Sequence, residues 1–196
     1  MSANPNSAWL LLTAIFIAAT CSCSLISNAG AQEGSGPPPL IILVRHAEKA
    51  SDPSDDPPLT PAGMARARIL ATALHDSGVT AIITTKYRRT KETAQPLADE
   101  SRVTPERPTQ DDPGDLGTHV AAVVAAVRRH VGETVVVIAH TTTIPPIIAA
   151  LGGPPMTNIC EWSYGHLFVI APVMGKVQIV QARYGAADPS PRSDCQ

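Results

Sequence analysis

Uninterrupted apolar runs, led by Leu40–Val44, constrain the fold of this chain more than any other feature. Leu40–Val44 is rich in branched side chains and lacks the apolar–polar alternation of a half-wet strand, so it reads as a strand buried on both faces. Further runs at Val79–Ile83, Thr134–Ala139, Leu167–Ala171 and Val177–Val180 read as strands as well, separated by helical patterns. The first helix begins with Thr60 as N-cap and Pro61 at the first helical position. It carries Met64, Ala67, Leu70, Ala71 and Leu74 on one face and ends at Gly78. A second pattern, Leu116 to Val131, aligns Leu116, Val120, Val123, Val124, Val127 and Val131 in one stripe. Strand and helix in alternation predict a three-layer α/β/α sandwich with a mostly parallel central sheet. At 196 residues the chain suits one such domain.

In sheets of this kind, chemistry collects at the carboxyl ends of the strands. There the first run passes directly into Arg45 and His46, followed by Ala47, Glu48 and Lys49. A guanidinium can clamp phosphate oxygens while a neighbouring imidazole attacks phosphorus, and neither role needs a metal or an organic cofactor. An isolated Arg-His pair is more often a mere strand cap. His140, however, follows Thr134–Ala139 in the same way, ahead of Thr141-Thr142-Thr143 and an apolar helix with Pro145 and Pro146 near its start. Arg89 opens a helical segment after Val79–Ile83, with Thr84 and Thr85 as candidate caps and Thr93 one turn on, on the same face.

The series Arg45-His46-Ala47-Glu48-Lys49, Pro58-Leu59-Thr60-Pro61-Ala62-Gly63, Thr85 to Ala94 and Val137-Ile138-Ala139-His140-Thr141 resembles the histidine phosphatase superfamily, the phosphoglycerate mutase-like family, from about Leu40 to Arg183. The resemblance implies a phosphoglycerate mutase-like fold and a catalytic set of Arg45, His46, Arg89 and His140. His46 would be the nucleophile, and Arg45, Arg89 and protonated His140 would hold the nonbridging oxygens. Arg88 would point to solvent. One departure is Ala139 where the family has glycine before the second histidine. Lys49 and Thr141 are the candidate substrate-binding residues.

The acid that protonates the leaving group is not assigned by this resemblance. Many relatives supply a carboxylate from an insertion between the second arginine and the second histidine. The segment from Asp99 to Gly117 shows no matching pattern. Glu48 is the candidate acid, with orientation of Arg45 or Lys49 as its alternative role. Without a dedicated acid, substrates with good leaving groups are expected. The expected activity is metal-independent hydrolysis of small phosphomonoesters or phosphoramidates. A phosphohistidine protein phosphatase and a catalytically weak ligand-binding module on the same fold are the alternatives. The short Asp99–Gly117 segment leaves little material for a lid, which disfavours a mutase.

A formal net charge of −2 and the lack of Lys/Arg runs argue against a nucleic-acid partner. No paired histidine spacing and no Cys-x-x-Cys motif suggest a metal, and no cofactor is expected. His75, His119, His130 and His166 read as helix or strand residues without catalytic roles, His130 favourably placed near a helix C-terminus.

Residues 1–31 resemble an export signal: Trp9 to Leu25 is almost wholly apolar, and Ala29-Gly30-Ala31 offers a cleavage site ahead of Gln32. The leading residues lack the usual basic side chain. Soluble export to a secreted or periplasmic location ranks first, lipidation at Cys21 or Cys23 second and a retained membrane anchor third. Residues 32–39 read as a flexible spacer, 40–184 as the domain and 185–196 as a mobile tail. After cleavage, Cys160 and Cys195 would remain as a possible disulfide.

Overall fold

The structure, a computed structural model, describes residues 36–108 and 115–188. The described elements run β1 (Leu40–Arg45), α1 (Pro61–Leu74), β2 (Val79–Ile83), α2 (Arg88–Ser101), α3 (Leu116–Arg128), β3 (Thr134–Ala139), α4 (Ile144–Ala150), β4 (His166–Val173) and β5 (Lys176–Arg183). They form one five-stranded sheet in the order β2-β3-β1-β4-β5. β1 and β2 both pair with β3 in parallel, whereas β4 runs antiparallel to its neighbours β1 and β5. Only β4 therefore opposes the common strand direction.

Because side chains alternate across a strand, each buried strand feeds two cores. Ile41, Leu43, Val135, Val137, Phe168 and Ile170 pack with α3 and α4 on one side. Ile42, Val44, Val136, Ile138 and Leu167 pack on the other side with Leu70, Ala71 and Leu74 of α1 and Ala94, Leu97 and Ala98 of α2. This produces the three layers that continuous apolar strands require.

The local signals explain the element boundaries. Thr60 caps α1 by accepting from the Gly63 amide at 3.0 Å, with Pro61 in the first turn. Gly63 is needed for contact: a Cβ there would lie 2.3 Å from the Glu48 carbonyl oxygen, which is how closely α1 abuts the loop after His46. Asp115 caps α3 through the Gly117 and Thr118 amides. Its expected stripe is buried at Val120, Val123, Val124 and Val127, but Leu116 at the first turn is 46% exposed, and the helix stops at Arg128. The cap of α2 differs from expectation. Tyr87 occupies the N-cap position, while Thr85 accepts from the Tyr87 amide just ahead of it.

Between β4 and β5 there is no helix. Val173 and Lys176 pair across Met174 and Gly175, whose φ values of 50° and 75° make the tight hairpin turn that matches strand twist. The described residues of the expected spacer and tail make specific hydrogen bonds. The Pro37 carbonyl accepts from the Gly132 amide, and Asp188 is held by the amides of Tyr164 and Gly165 and by the Ser163 hydroxyl. The expected signal segment lies outside the described residues, as do residues 189–196 with Cys195. Cys160 is disulfide-bonded. Among the described residues no helix is long and apolar enough to cross a membrane.

Candidate active site

β1 and β3 are parallel neighbours in a register that pairs Arg45 with Ala139, so the two strands end level with each other. His46 and His140 follow those ends. Their rings lie 5.3 Å apart, and the His46 amide donates to the Ala139 carbonyl at 3.0 Å. Sheet register thus brings together two histidines that are far apart in the chain.

His46 is 3% exposed, and its Nδ1 lies 2.8 Å from the Ala47 carbonyl oxygen. A carbonyl can only accept, so Nδ1 carries the hydrogen and Nε2 holds the lone pair. Burial pushes His46 down to about 2 against the raising effect of the Ala47 carbonyl, and Arg45, His140 and Arg89 add to the lowering. A neutral imidazole of fixed tautomer results. The Ala47 peptide is itself anchored, since its amide donates to Thr93 Oγ1 of α2 at 2.9 Å, and Thr93 is fully buried.

His140 is pushed down to about 3 by burial, then by Arg89, His119 and Arg45. The chain itself thus holds His140 neutral near pH 7; the charged form expected from sequence would require a bound anion to oppose this field. Its Nε2 lies 3.1 Å from Thr85 Oγ1. The Thr90 hydroxyl has one proton and its shortest acceptor is the Tyr87 carbonyl at 2.8 Å. Thr85 then donates to Thr90 and accepts from His140 Nε2–H.

Arg89 sits over the Tyr87 ring, 4.0 Å from its centroid, and its buried Nε has no hydrogen-bond partner among the described residues. Burial lowers its pKa against the opposing influence of Tyr87, Asp56 and Glu161. Arg88 turns away, exposed and paired with Glu92. A cavity of about 350 Å³ opens here, with Lys49, Arg89, His46, His140, Thr141 and Glu161 on its wall.

Arg45 departs most from expectation. It is fully buried and absent from that wall. Its Nη1 donates to the carbonyls of Cys160, Glu161 and Ser163 at 3.0, 2.7 and 3.1 Å, and its Nη2 to Glu161 Oε2 at 2.8 Å. Tyr164 lies beneath the guanidinium, its ring centroid 4.1 Å from Cζ.

Glu48 is neither beside Arg45 nor on the cavity wall. Both of its oxygens are taken by Arg66 of α1, at 2.9 and 3.1 Å from Nε. Arg66 is 3% exposed and also donates to the carbonyls of Tyr184 and Ala186. Burial opposes its charge, yet its pairing with Glu48, with contributions from Tyr184 and Asp188, raises its pKa. The structure thus commits the Glu48 carboxylate to Arg66 and away from the cavity, not to the neighbourhood of His46 that an acid would need.

Sequence reasoning missed Glu161; His119, read as a helix residue, is buried on α3 and also lines the cavity. A stripe of apolar helix positions gave no sign that His119 would face a site. Glu161 belongs to a loop brought to Arg45 only by the antiparallel pairing of β4 with β1. Residues 109–114 of the Asp99–Gly117 segment lie outside the described residues. Among the described residues no group of three or more His, Cys, Asp or Glu side chains could hold a metal ion.

A model of the histidine phosphatase superfamily (branch 1) matches residues 41–114. Among solved structures, the protein histidine phosphatase SixA complexed with tungstate superposes with a TM-score of 0.57 at 22% identity, covering 74% of this chain and 96% of that one. YhfR of Bacillus stearothermophilus gives 0.55 at 20% identity over 72% and 95% of the two chains. A mycobacterial glucosyl-3-phosphoglycerate phosphatase gives 0.55 at 15% identity over 76% and 99%. No curated protein matches significantly by sequence. At these identities the structural likeness establishes the fold. The family match spans residues 41–114, which hold Arg45, His46 and Arg89 but not His140.

Proposed function

We propose that this protein is a phosphatase that hydrolyses small phosphomonoesters or phosphoramidates through a phosphohistidine on His46. The observation that carries the reading is the state of His46: buried, neutral and with Nδ1–H tied to the Ala47 carbonyl, so that Nε2 presents its lone pair in a cavity that also contains Arg89 and His140. Nε2 attacks phosphorus in line, and the bond to the leaving group breaks as the Nε2–P bond forms. Arg89, joined by Nη2 of Arg45 once Glu161 yields it, matches the charge on the nonbridging oxygens, while His140, Lys49 and Thr141 bind the phosphoryl group or the substrate beside it. Water then attacks phosphorus, the P–N bond breaks, and inorganic phosphate leaves with His46 regenerated.

Phosphohistidine protein substrates are the second reading. Glu48 is held by Arg66, and Glu161, the carboxylate on the cavity wall, is paired with Arg45. A phosphoramidate, whose leaving nitrogen is easily protonated, makes less demand on an acid. The apolar segment Trp9–Leu25 and the disulfide at Cys160 support work outside the cytosol. Hydrolysis of an aryl phosphate and of phosphoramidate in the presence of a chelator tests the proposal. Turnover that survives the chelator and disappears in His46→Ala is expected. Equal turnover in His46→Ala, or none in the folded wild type, would overturn it.

A further inference from the structure

Arg45 is a buried cation next to His46, but the cavity wall shows Glu161 in its place. One Glu161 oxygen accepts from Arg45 Nη2 at 2.8 Å and the other from Thr141 Oγ1 at 2.7 Å. An oxyanion bridging a guanidinium and a hydroxyl beside a nucleophile occupies the arrangement a phosphoryl group would take. The two partners differ in freedom: the Glu161 side chain is 73% exposed, that of Arg45 only 1%. Nη1 of Arg45 is committed to three carbonyls, so the guanidinium cannot leave to meet a ligand. Its Nε, buried and without a hydrogen-bond partner among the described residues, retains donor capacity. The exposed carboxylate can swing into water at little cost, whereas the buried cation always needs an anion.

We infer that Glu161 is a specificity-determining residue, a tethered carboxylate that holds the phosphate position on Arg45 and Thr141 until a phosphoryl group displaces it. Resting on the phosphatase reading, this adds a threshold to it. Only an anion that outcompetes a carboxylate already in place gains Arg45, so weakly charged anions are turned away and released phosphate is expelled as Glu161 returns.

The test is calorimetric titration of inorganic phosphate into wild type, Glu161→Gln and Glu161→Ala, with aryl-phosphate kinetics on the same samples and urea midpoints to show that each is folded. Removing the competitor should tighten phosphate binding about tenfold in both variants, with a lower KM and stronger product inhibition. Unchanged or weaker phosphate binding in folded variants would overturn the inference, leaving Glu161 as an anchor for Arg45 while the phosphatase reading stands. A wild type that neither binds phosphate nor hydrolyses the ester would overturn both.

Discussion

At the residue scale, the tautomer of His46 is set by a chain of hydrogen bonds that starts on another element. Thr93 Oγ1 donates to the Arg89 carbonyl and accepts from the Ala47 amide, and the Ala47 carbonyl fixes the His46 tautomer. Thr93→Val keeps the shape but leaves a buried amide unsatisfied. It should cost about 1–3 kcal/mol in urea denaturation and reduce kcat more than it changes KM. A loss of stability with unaltered kcat would show that the Ala47 peptide holds its place without Thr93. The gathering of these residues at the strand ends was legible in sequence because Arg45, His46 and His140 terminate apolar runs and Arg89 opens a helix. The partner of Arg45 was not. Glu161 lies 116 positions away, and nothing local in Cys160-Glu161-Trp162-Ser163 signals that three of its carbonyls will face a guanidinium.

At the scale of elements, α1 and the loop after β1 form one unit through Gly63 and the Glu48–Arg66 pair. Gly63→Ala places a methyl against the Glu48 carbonyl and should destabilise the fold by about 1–3 kcal/mol, measured as a lower denaturation midpoint. Glu48→Gln should likewise cost about 1–3 kcal/mol, because it weakens the pairing of a buried guanidinium. It should leave the shape of the pH–rate profile in place. A selective loss of activity towards poor leaving groups, with stability intact, would instead restore Glu48 as the acid. The strands and α1 were readable from run length, capping threonine and proline. Proximity of Glu48 to His46 in sequence does not bring its carboxylate into the cavity, because side-chain direction, not spacing, decides which residue a carboxylate meets. The β4–β5 hairpin was masked by its turn, since Met174 adopts positive φ without being a customary turn residue.

At the scale of the whole molecule, the site brings together the carboxyl ends of β1 and β3, the start of α2 and the loop before β4, so folding must place one buried and one half-buried imidazole among cations. This links stability to pH. His46 and His140 are lowered to about 2 and about 3, below the unfolded value near 6.5. Between those limits the unfolded chain binds more protons than the folded one, so the stabilisation is present above about pH 6.5 and is lost as pH falls towards the folded values. The melting temperature should therefore drop on acidification from pH 7 to 4, and less steeply in His46→Gln; parallel curves for the two proteins would contradict the burial of a neutral His46. The fold class was evident from the alternation of apolar strands and amphipathic helices, whereas the close packing of Arg45 behind Glu161 follows from long-range strand pairing that no local pattern encodes. Passage of phosphate through His46 is read by rapid quench with a labelled phosphomonoester followed by peptide mapping. An acid-labile, base-stable phosphoryl group on the peptide containing His46 is expected. Turnover with no phosphopeptide on that histidine, even when dephosphorylation is slowed, would contradict it.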